Sequence, residues 1–412
     1  LSFLRFFAYI EYFLIGKKLP HSYSAKIHCE RGFDYSLKEL DEERLGEFLL
    51  EKNYAGLNVT MPYKSAVIDY LDETDFLAKK IGAVNTIVNR DGKLAGYNTD
   101  IFGLDFALKS AGIDLAGKTV AILGSGGAGK TAKTLAEENG AKKIYVVSRK
   151  GEINYENCYE VCRRAEIVIN CTPVGAYPFD AASPVDLSEL KNLEAAFDCT
   201  YNPARTEFIL QAQELKLKNA NGLNMLVYQA LASEKLWNGT EFSDDDVIKL
   251  ADKIYKSTRN IALVGMPGAG KTVIAKRLGA VTDREVIDTD EVILRNYGIT
   301  AGEMINRYGE DYFRDVESRV VDEACQRRGV IIATGGGSVL KRENRKAIKR
   351  SSLVVWIKRD LNLLSSNDRP LSANRSAEEL YNMRKSLYQS VCDCEIYNDD
   401  TVDKAAEEIA EL

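Results

Sequence analysis

Apolar runs and Gly-rich turns alternate along this chain in a way that predicts parallel sheets. TVAILG (119–124) reads as a buried strand, TAKTLAEEN (131–139) as an amphipathic helix and KIYVVS (143–148) as a second strand. That order makes a βαβ unit. Further strand-like runs follow at AEIVIN (165–170) and AAFDCT (195–200), as a doubly wound fold requires. The pattern starts again at NIALVG (260–265), with VIAKRLG (273–279) as its helix. SDDDVIKLADKIYKS (243–257) reads as a helix leading into this second series, with no Gly/Ser- or Pro-rich spacer. Near the start, Tyr12 to Ile15 reads as a first strand, which leaves residues 1–9 as an extension ahead of it. The apolar run there is short, is interrupted by Arg5 and Glu11 and lacks a small-residue cleavage pattern, which argues against a signal peptide.

Both series open with the same eight-residue shape. GSGGAGKT (124–131) and GMPGAGKT (265–272) each satisfy G-x-x-x-x-G-K-[ST] between a strand and a helix. Each would aim backbone N–H groups and the positive end of a helix dipole at a phosphate. What lies downstream separates them.

In the first loop Gly124, Gly126 and Gly129, with Gly127 among them, form G-x-G-x-x-G inside a βαβ unit, the dinucleotide-binding pattern. The second strand ends in Ser148-Arg149-Lys150, where an NAD site carries an acidic residue. A hydroxyl and two cations suit a 2′-phosphate, so NADP(H) is favoured over NAD(H). The rival reading is a true P-loop using Lys130 and Thr131. It needs acidic groups to hold magnesium, and no acidic motif ends KIYVVS.

The second loop has that acidic motif. Asp288-Thr289-Asp290 follows the apolar run REVI downstream of Lys271. Gly265, Gly268 and Gly270 shape a loop for ATP, Lys271 would reach the β/γ-phosphates, and Thr272 and Asp288 would hold Mg2+ directly or through water. YFRDVES places Arg314 and Glu317 on one helical face. VIIATGGGSV is a strand ending in Gly335-Gly336-Gly337, where a ligand could approach the backbone closely. Arg369 and Arg384 add cations that suit an anionic acceptor and a phosphoryl group in transfer.

Composition narrows the chemistry. With 412 residues, 45% apolar and 28% charged, the chain has room for two or three globular domains. Its net charge of −6 gives no electrostatic footprint for nucleic acid. The sequence has no long uncharged apolar segment, so no membrane span is expected. The eight cysteines lack C-x-x-C zinc spacing and read as idle thiols of a reducing cytoplasm. With His21 and His28 as the only histidines, a general acid or base is expected among Lys, Asp and Glu. Four polar clusters precede the first loop: HSYS (21–24), NVTMPYK (58–64), GAVNT (82–86) and GYNTD (96–100). Together they supply hydroxyls, amides, Lys64 and Asp100, an inventory for holding a polyhydroxylated acid and moving one proton.

On the motifs HSYS, GLNVTMPYK, GAVNTI, GYNTD, GSGGAG, NCTPVGAYP and NGLNMLVYQ, residues 12–255 resemble shikimate dehydrogenases. The resemblance implies a substrate-binding α/β domain over 10–103, completed by helices in 223–257, and a Rossmann NADP-binding domain over 104–222. It implies that Ser22 and Ser24 bind the substrate carboxylate and that Lys64 and Asp100 form the catalytic pair. It further implies that Thr60, Asn85, Tyr201 and Gln229 contact ring hydroxyls or the carboxylate, with Gly222 and Met225 near the nicotinamide. The chain departs from the family in two places. Cys29–Leu57 is shorter than usual, which puts the second strand of the substrate domain in question, and Ala25 stands where a Pro often follows S-x-S.

On GMPGAGKT, DTD, YFRDVE, ATGGGSV, DRPL and R-x-x-LY, residues 259–412 resemble shikimate kinases. That likeness implies a P-loop α/β domain of the nucleoside-monophosphate-kinase type over 258–412. It assigns shikimate to Asp290, Arg314, Gly336, Gly337 and Arg384, places Glu317 near the metal or acceptor pocket, and makes Arg369 the lid arginine. Before Arg369 the segment 361–368 is short and lacks the arginine that often lies over adenine, and Ser386 replaces a common Pro. The first activity would make the substrate of the second. Two alternatives are a quinate/shikimate dehydrogenase joined to a kinase for another small hydroxy acid, and a chain in which one half is a catalytically dead binding module. Oligomeric state is not legible in the sequence.

Overall fold

The computed structural model describes residues 12–19, 22–177, 181–364 and 376–412. The expected extension over 1–9, His21 and Arg369 lie outside them. The chain divides into two compact units between Tyr255 and Lys256.

The first unit holds two sheets among its described residues. One comprises β1 (Tyr12–Gly16), β2 (Tyr35–Glu39), β3 (Gly56–Val59), β4 (Glu73–Thr74), β5 (Thr86–Arg90) and β6 (Lys93–Tyr97), in the order β2-β1-β3-β5-β6-β4. β1 runs parallel to β2 and β3, whereas β3–β5 and β5–β6 are antiparallel. The second sheet contains β7 (Thr119–Leu123), β8 (Lys143–Val147), β9 (Ile167–Asn170), β10 (Ala195–Asp198) and β11 (Lys218–Asn221). Its order is β11-β10-β9-β7-β8 and every pairing is parallel.

The continuous apolar runs are explained by two-sided burial. In β7, Val120 and Ile122 face one core with Leu104 and Leu135, while Ala121 and Leu123 face another with Phe208. The helix Leu223–Asn238 packs on the helix Asp100–Ser110. Gly103 permits this approach, since a Cβ there would lie 2.5 Å from the Met225 carbonyl.

The doubt over the second substrate-domain strand is corrected by β2, which pairs with β1 along all five of its residues. A buried polar cluster fixes its position. Tyr35 donates to Asn58 Oδ1 at 2.8 Å, and His28 spans Asn58 and Glu234 at 3.2 and 2.8 Å. Arg31 completes the cluster on Glu234 at 2.5 Å. The shortened stretch therefore keeps its strand, because side chains from three other elements hold Tyr35 in place. His28 serves packing, with its ring stacked on Tyr35 at 4.1 Å.

The second unit is built on β12 (Asn260–Val264), β13 (Val286–Asp288), β14 (Ile331–Ala333), β15 (Ser352–Lys358) and β16 (Cys394–Tyr397), all parallel, in the order β13-β14-β12-β15-β16. Ala262 and Val264 of the central strand enter one core and Ile261 and Leu263 the other. No helix among the described residues is long and apolar enough to cross a membrane.

Candidate active sites

The two Gly-rich loops, nearly identical in sequence, fold differently. In the first, the helix begins at Gly127, inside the loop, and runs to Glu138. Lys130 is then a helical residue exposed to solvent, and the Thr131 hydroxyl bonds back to the Gly127 carbonyl at 3.0 Å. A Cβ at Gly129 would overlap the Gly124 carbonyl, so helix and strand touch there, and Gly124 itself has φ +106°. These are the glycine roles of a dinucleotide loop. In the second, the helix begins only at Lys271 and runs to Thr282. Gly265, Gly268 and Gly270 all have φ above zero, and the Lys271 ammonium folds back onto the Gly265 and Met266 carbonyls at 3.0 and 2.9 Å. Thr272 donates to Asp288 Oδ2 at 2.6 Å. The true P-loop geometry thus belongs to the second loop.

A cleft of about 680 Å³ in the first unit gathers the residues expected to bind substrate. Ser22, Ser24, Thr60, Lys64, Asn85, Asp100, Tyr201, Gly222, Met225 and Gln229 all line it. At its centre the Lys64 ammonium lies 2.6 Å from Asp100 Oδ2. Asp100 opens the helix Asp100–Ser110, where the helix dipole favours a carboxylate. Its other oxygen accepts from the Asn85 amide at 2.9 Å, and the same amide contacts Gln229 Oε1 at 3.2 Å. Asn85 is in turn held by Thr99, whose backbone N–H donates to Asn85 Oδ1 at 2.7 Å. Behind it, the hydroxyls of Thr86, Thr99 and Ser233 interlink. Ser22 Oγ accepts from the Ser24 N–H at 3.2 Å.

The dinucleotide loop reaches this cleft. Ala128 lines it, and a Cβ at Gly127 would lie 3.3 Å from Lys64 Cδ. Ser148, Arg149 and Lys150 form the turn after β8, closed by the Gly151 N–H on the Ser148 carbonyl at 3.2 Å, with both cations exposed. That turn and Gly124 lie at the same, C-terminal edge of the parallel sheet.

Beside the cleft, β10 ends in Asp198, which is wholly buried. It accepts from the Thr206 hydroxyl at 2.6 Å, the Thr200 N–H at 2.9 Å and the Asn170 amide at 3.0 Å. Burial outweighs those bonds and pushes its carboxyl up to about 6. Lys18, also lining the cleft, is a cation the sequence reading did not single out. It follows β1 closely in sequence, but nothing in its sequence pattern separates it from a surface lysine.

In the second unit the acceptor-side residues converge on Gly335–Gly337. A Cβ at Gly335 would lie 2.8 Å from Glu317 Oε1 and 3.0 Å from Asp290 Oδ1, so two carboxylates flank the bare backbone. A Cβ at Gly337 would overlap the Arg314 guanidinium. Arg314 pairs with Glu317 at 2.7 Å and Glu310 at 3.0 Å. Burial pushes the Glu317 carboxyl above its usual range, opposed by Arg314 and reinforced by the charge of Asp290. Arg384 Nη1 and the Tyr388 hydroxyl both donate to the Gly336 carbonyl, at 3.1 and 2.6 Å. Arg384 Nε is buried without a partner, an orphan donor of the kind an anionic acceptor would satisfy.

Among the described residues no cluster of three His, Cys, Asp or Glu side chains forms a metal cage. The Thr272–Asp288 pair instead fits Mg2+, which keeps waters and phosphate oxygens as most of its ligands. Asp288 is held for this by its other oxygen, which caps the next helix through the Asp290 and Glu291 N–H groups at 2.9 and 3.2 Å.

Two residues of this unit have no role assigned from the sequence. Tyr388 ends the R-x-x-LY motif, where only Arg384 is given a part. Arg359 follows β15 and donates to the Gly268 carbonyl at 3.3 Å, with its Nε also buried and unpartnered. It puts a cation beside the P-loop.

A cleft with a lysine–aspartate pair beside a dinucleotide loop, and a separate P-loop with a carboxylate- and arginine-lined acceptor pocket, define a pyridine-nucleotide dehydrogenase joined to a phosphotransferase. The shikimate dehydrogenase (NADP(+)) of Clostridium beijerinckii is 38% identical over 271 residues, covering 60% of this chain and 98% of that relative. The chain belongs to the shikimate dehydrogenase family, and it carries a shikimate kinase domain behind the dehydrogenase. The model of the shikimate dehydrogenase substrate binding domain matches residues 14–87, and that of the family Shikimate kinase matches residues 267–412. Among solved structures, shikimate dehydrogenase 1 from Peptoclostridium difficile superimposes with a TM-score of 0.56 at 37% identity, covering 60% of this chain and 98% of that one. The shikimate 5-dehydrogenase of Thermus thermophilus in complex with NADP(H) and shikimate gives a TM-score of 0.53 at 30% identity, over 59% of this chain and 99% of that one.

Proposed function

We propose that this chain catalyses two consecutive steps of the shikimate pathway. The first is reduction of 3-dehydroshikimate to shikimate with NADPH, and the second is phosphorylation of shikimate to shikimate 3-phosphate with ATP. The observation that carries the first step is the Lys64–Asp100 contact at 2.6 Å, in a cleft shared with the dinucleotide loop. Bound NADPH supplies a hydride to the ring carbonyl. Lys64 then donates the proton that the new alkoxide needs, and Asp100 holds the ammonium in place and balances its charge. Asn85 keeps Asp100 oriented and, with Thr60, Tyr201 and Gln229, offers groups to the ring hydroxyls. Ser22 and Ser24 receive the carboxylate.

In the second unit ATP supplies the phosphoryl group. Lys271 would meet the β/γ-phosphates, and Thr272 and Asp288 would hold Mg2+. Arg314 and Arg384 hold the acceptor carboxylate, and Asp290 orients its hydroxyl for attack. Glu317 keeps Arg314 aimed. We place the chain in the cytoplasm, which supplies both NADPH and ATP and where its eight free thiols persist.

The test combines purified protein, 3-dehydroshikimate, NADPH, ATP and Mg2+, and follows NADPH loss and ADP formation together. ADP formation that waits on NADPH consumption supports both steps. A chain that oxidises NADPH but never forms ADP refutes the second.

A further inference from the structure

Two free cysteines stand side by side at the dehydrogenase cleft, which Cys199 lines. Asn170 and Asp198 are the last register pair of the parallel strands β9 and β10, and Cys171 and Cys199 come next on each. The Cys199 N–H bonds the Asn170 carbonyl at 2.9 Å, which keeps the two chains adjacent past the strand ends. Their sulfurs lie 3.7 Å apart. Neighbouring strands run about 4.8 Å apart, inside the ~4.4–6.8 Å Cα separation that a disulfide spans. Both cysteines are partly exposed and Cys199 lines the cleft, so a small oxidant has access to the pair.

The surroundings give this pair a lever on the cofactor site. The Cys171 carbonyl lies 3.1 Å from where a Cβ of Gly124 would stand, and a Cβ at Gly222 would overlap the Cys199 carbonyl. Each cysteine backbone therefore buttresses one of the glycines assigned to NADP(H).

We propose that Cys171 and Cys199 form a reversible redox modification site, a dithiol that hydrogen peroxide converts to a disulfide and that thereby slows the dehydrogenase. Cys171 sulfur attacks one peroxide oxygen and breaks the O–O bond; water leaves and a sulfenic acid remains. Cys199 sulfur then displaces the sulfenic hydroxyl, which leaves as a second water with the Cys199 proton. Two thiols and one peroxide thus give one disulfide and two waters. The bond draws the sulfurs from 3.7 Å to about 2.05 Å. A displacement of that size beside a hydride-transfer site costs about 10- to 100-fold in rate. The sulfur of Cys171, with burial, holds the Cys199 thiol well above its ordinary value, which makes Cys199 the poorer first nucleophile of the two.

The effect on rate rests on the dehydrogenase reading above; disulfide formation does not. The full chain is treated with hydrogen peroxide and quenched with N-ethylmaleimide. Non-reducing peptide mapping should show a Cys171–Cys199 cross-link that forms more slowly when NADPH is present. NADPH oxidation should fall by about 10- to 100-fold and return with dithiothreitol, while ATP-dependent phosphorylation of shikimate is unchanged. Cys171→Ser, normalised to its own untreated rate, should resist peroxide. Absence of the cross-linked peptide in the wild type overturns the proposal without reference to any variant. A cross-link that leaves NADPH oxidation unchanged, or a Cys171→Ser protein as sensitive as the wild type, overturns the control of activity. A wild type with no dehydrogenase activity before treatment would instead refute the functional reading and leave the peptide map as the test of the thiol pair.

Discussion

Lys64 and Asp100, thirty-six residues apart in the chain, meet at 2.6 Å in the cleft of the first unit. The contact joins the turn after β3 to the first turn of the helix Asp100–Ser110. Lys64→Ala should lower the rate of NADPH-dependent reduction by about 10²–10⁴-fold, the range for general acid–base help. Shikimate phosphorylation should be untouched, because the second unit has its own lysine and carboxylates. Steady-state rates of both reactions on one preparation check this; near-normal reduction would remove Lys64 from the proton transfer.

Arg149→Ala should weaken NADPH far more than NADH. The motive is the exposed Ser148-Arg149-Lys150 turn at the sheet edge that also carries Gly124. A lost charge-assisted hydrogen bond raises KM about 10- to 100-fold. Titrating each coenzyme separately decides it, and an equal change in both KM values would show that the guanidinium does not meet the 2′-phosphate.

Arg384→Ala should act on the acceptor. Its orphaned Nε and the Gly336 carbonyl contact place it beside the Gly335–Gly337 backbone. Shikimate KM should rise about 10- to 100-fold, with ATP nearly unaffected. Lys271→Ala should do the reverse. If Arg384→Ala altered only the ATP constant, the acceptor pocket would be misassigned.

Asp198 makes the pH dependence of the first unit calculable in sign. Its folded value, about 6, lies above the ordinary 3.8 because of burial. The folded state therefore binds the proton more tightly than the unfolded one. This contribution to stability is complete below about pH 4 and is lost as pH rises through about 6, a change of roughly 2–3 kcal/mol. Asp198→Asn cannot titrate, so its stability relative to wild type should climb across that window. Urea unfolding at a series of pH values measures the difference; a flat difference would mean that Asp198 is not raised.

Separating the chain between Tyr255 and Lys256 should yield two fragments, each with one activity. The sequence reading put the boundary at residue 258. In the structure the Lys256 carbonyl accepts from Arg284 and the Thr258 carbonyl from the Gly329 N–H, so these residues serve the second unit. A fragment starting at Lys256 should phosphorylate shikimate alone. An inactive fragment rescued by adding residues 1–255 would show that the two activities depend on each other's fold.

Strand periodicity and glycine spacing made most of the architecture legible. β7 and β12 are buried on both faces and so appear as unbroken apolar runs, and φ-positive turns favour glycine. The second substrate-domain strand was harder to see because only Tyr35 of YSLKE is buried. Its evidence lies in Asn58 and Glu234, which are remote in sequence. The site residues were legible only as an inventory. That one amide, Asn85, serves both Asp100 and Gln229 is a fact of three-dimensional packing. Arg359 was invisible for the same reason: its importance comes from the Gly268 carbonyl across a strand connection, and no local pattern marks it.

The Lys271 ammonium, resting on the carbonyls of Gly265 and Met266, acts as an internal competitor for its own ligand. Any molecule entering the P-loop has to outbid at least two charge-assisted hydrogen bonds before it gains the lysine. A polyphosphate can do so, since it offers several anionic oxygens at once. A lone carboxylate or a neutral nucleoside offers too little in exchange. The side chain that would grip the nucleotide therefore also works as a discriminating threshold. It favours triphosphate over small organic acids, including the acceptor proposed for the neighbouring Gly335–Gly337 pocket.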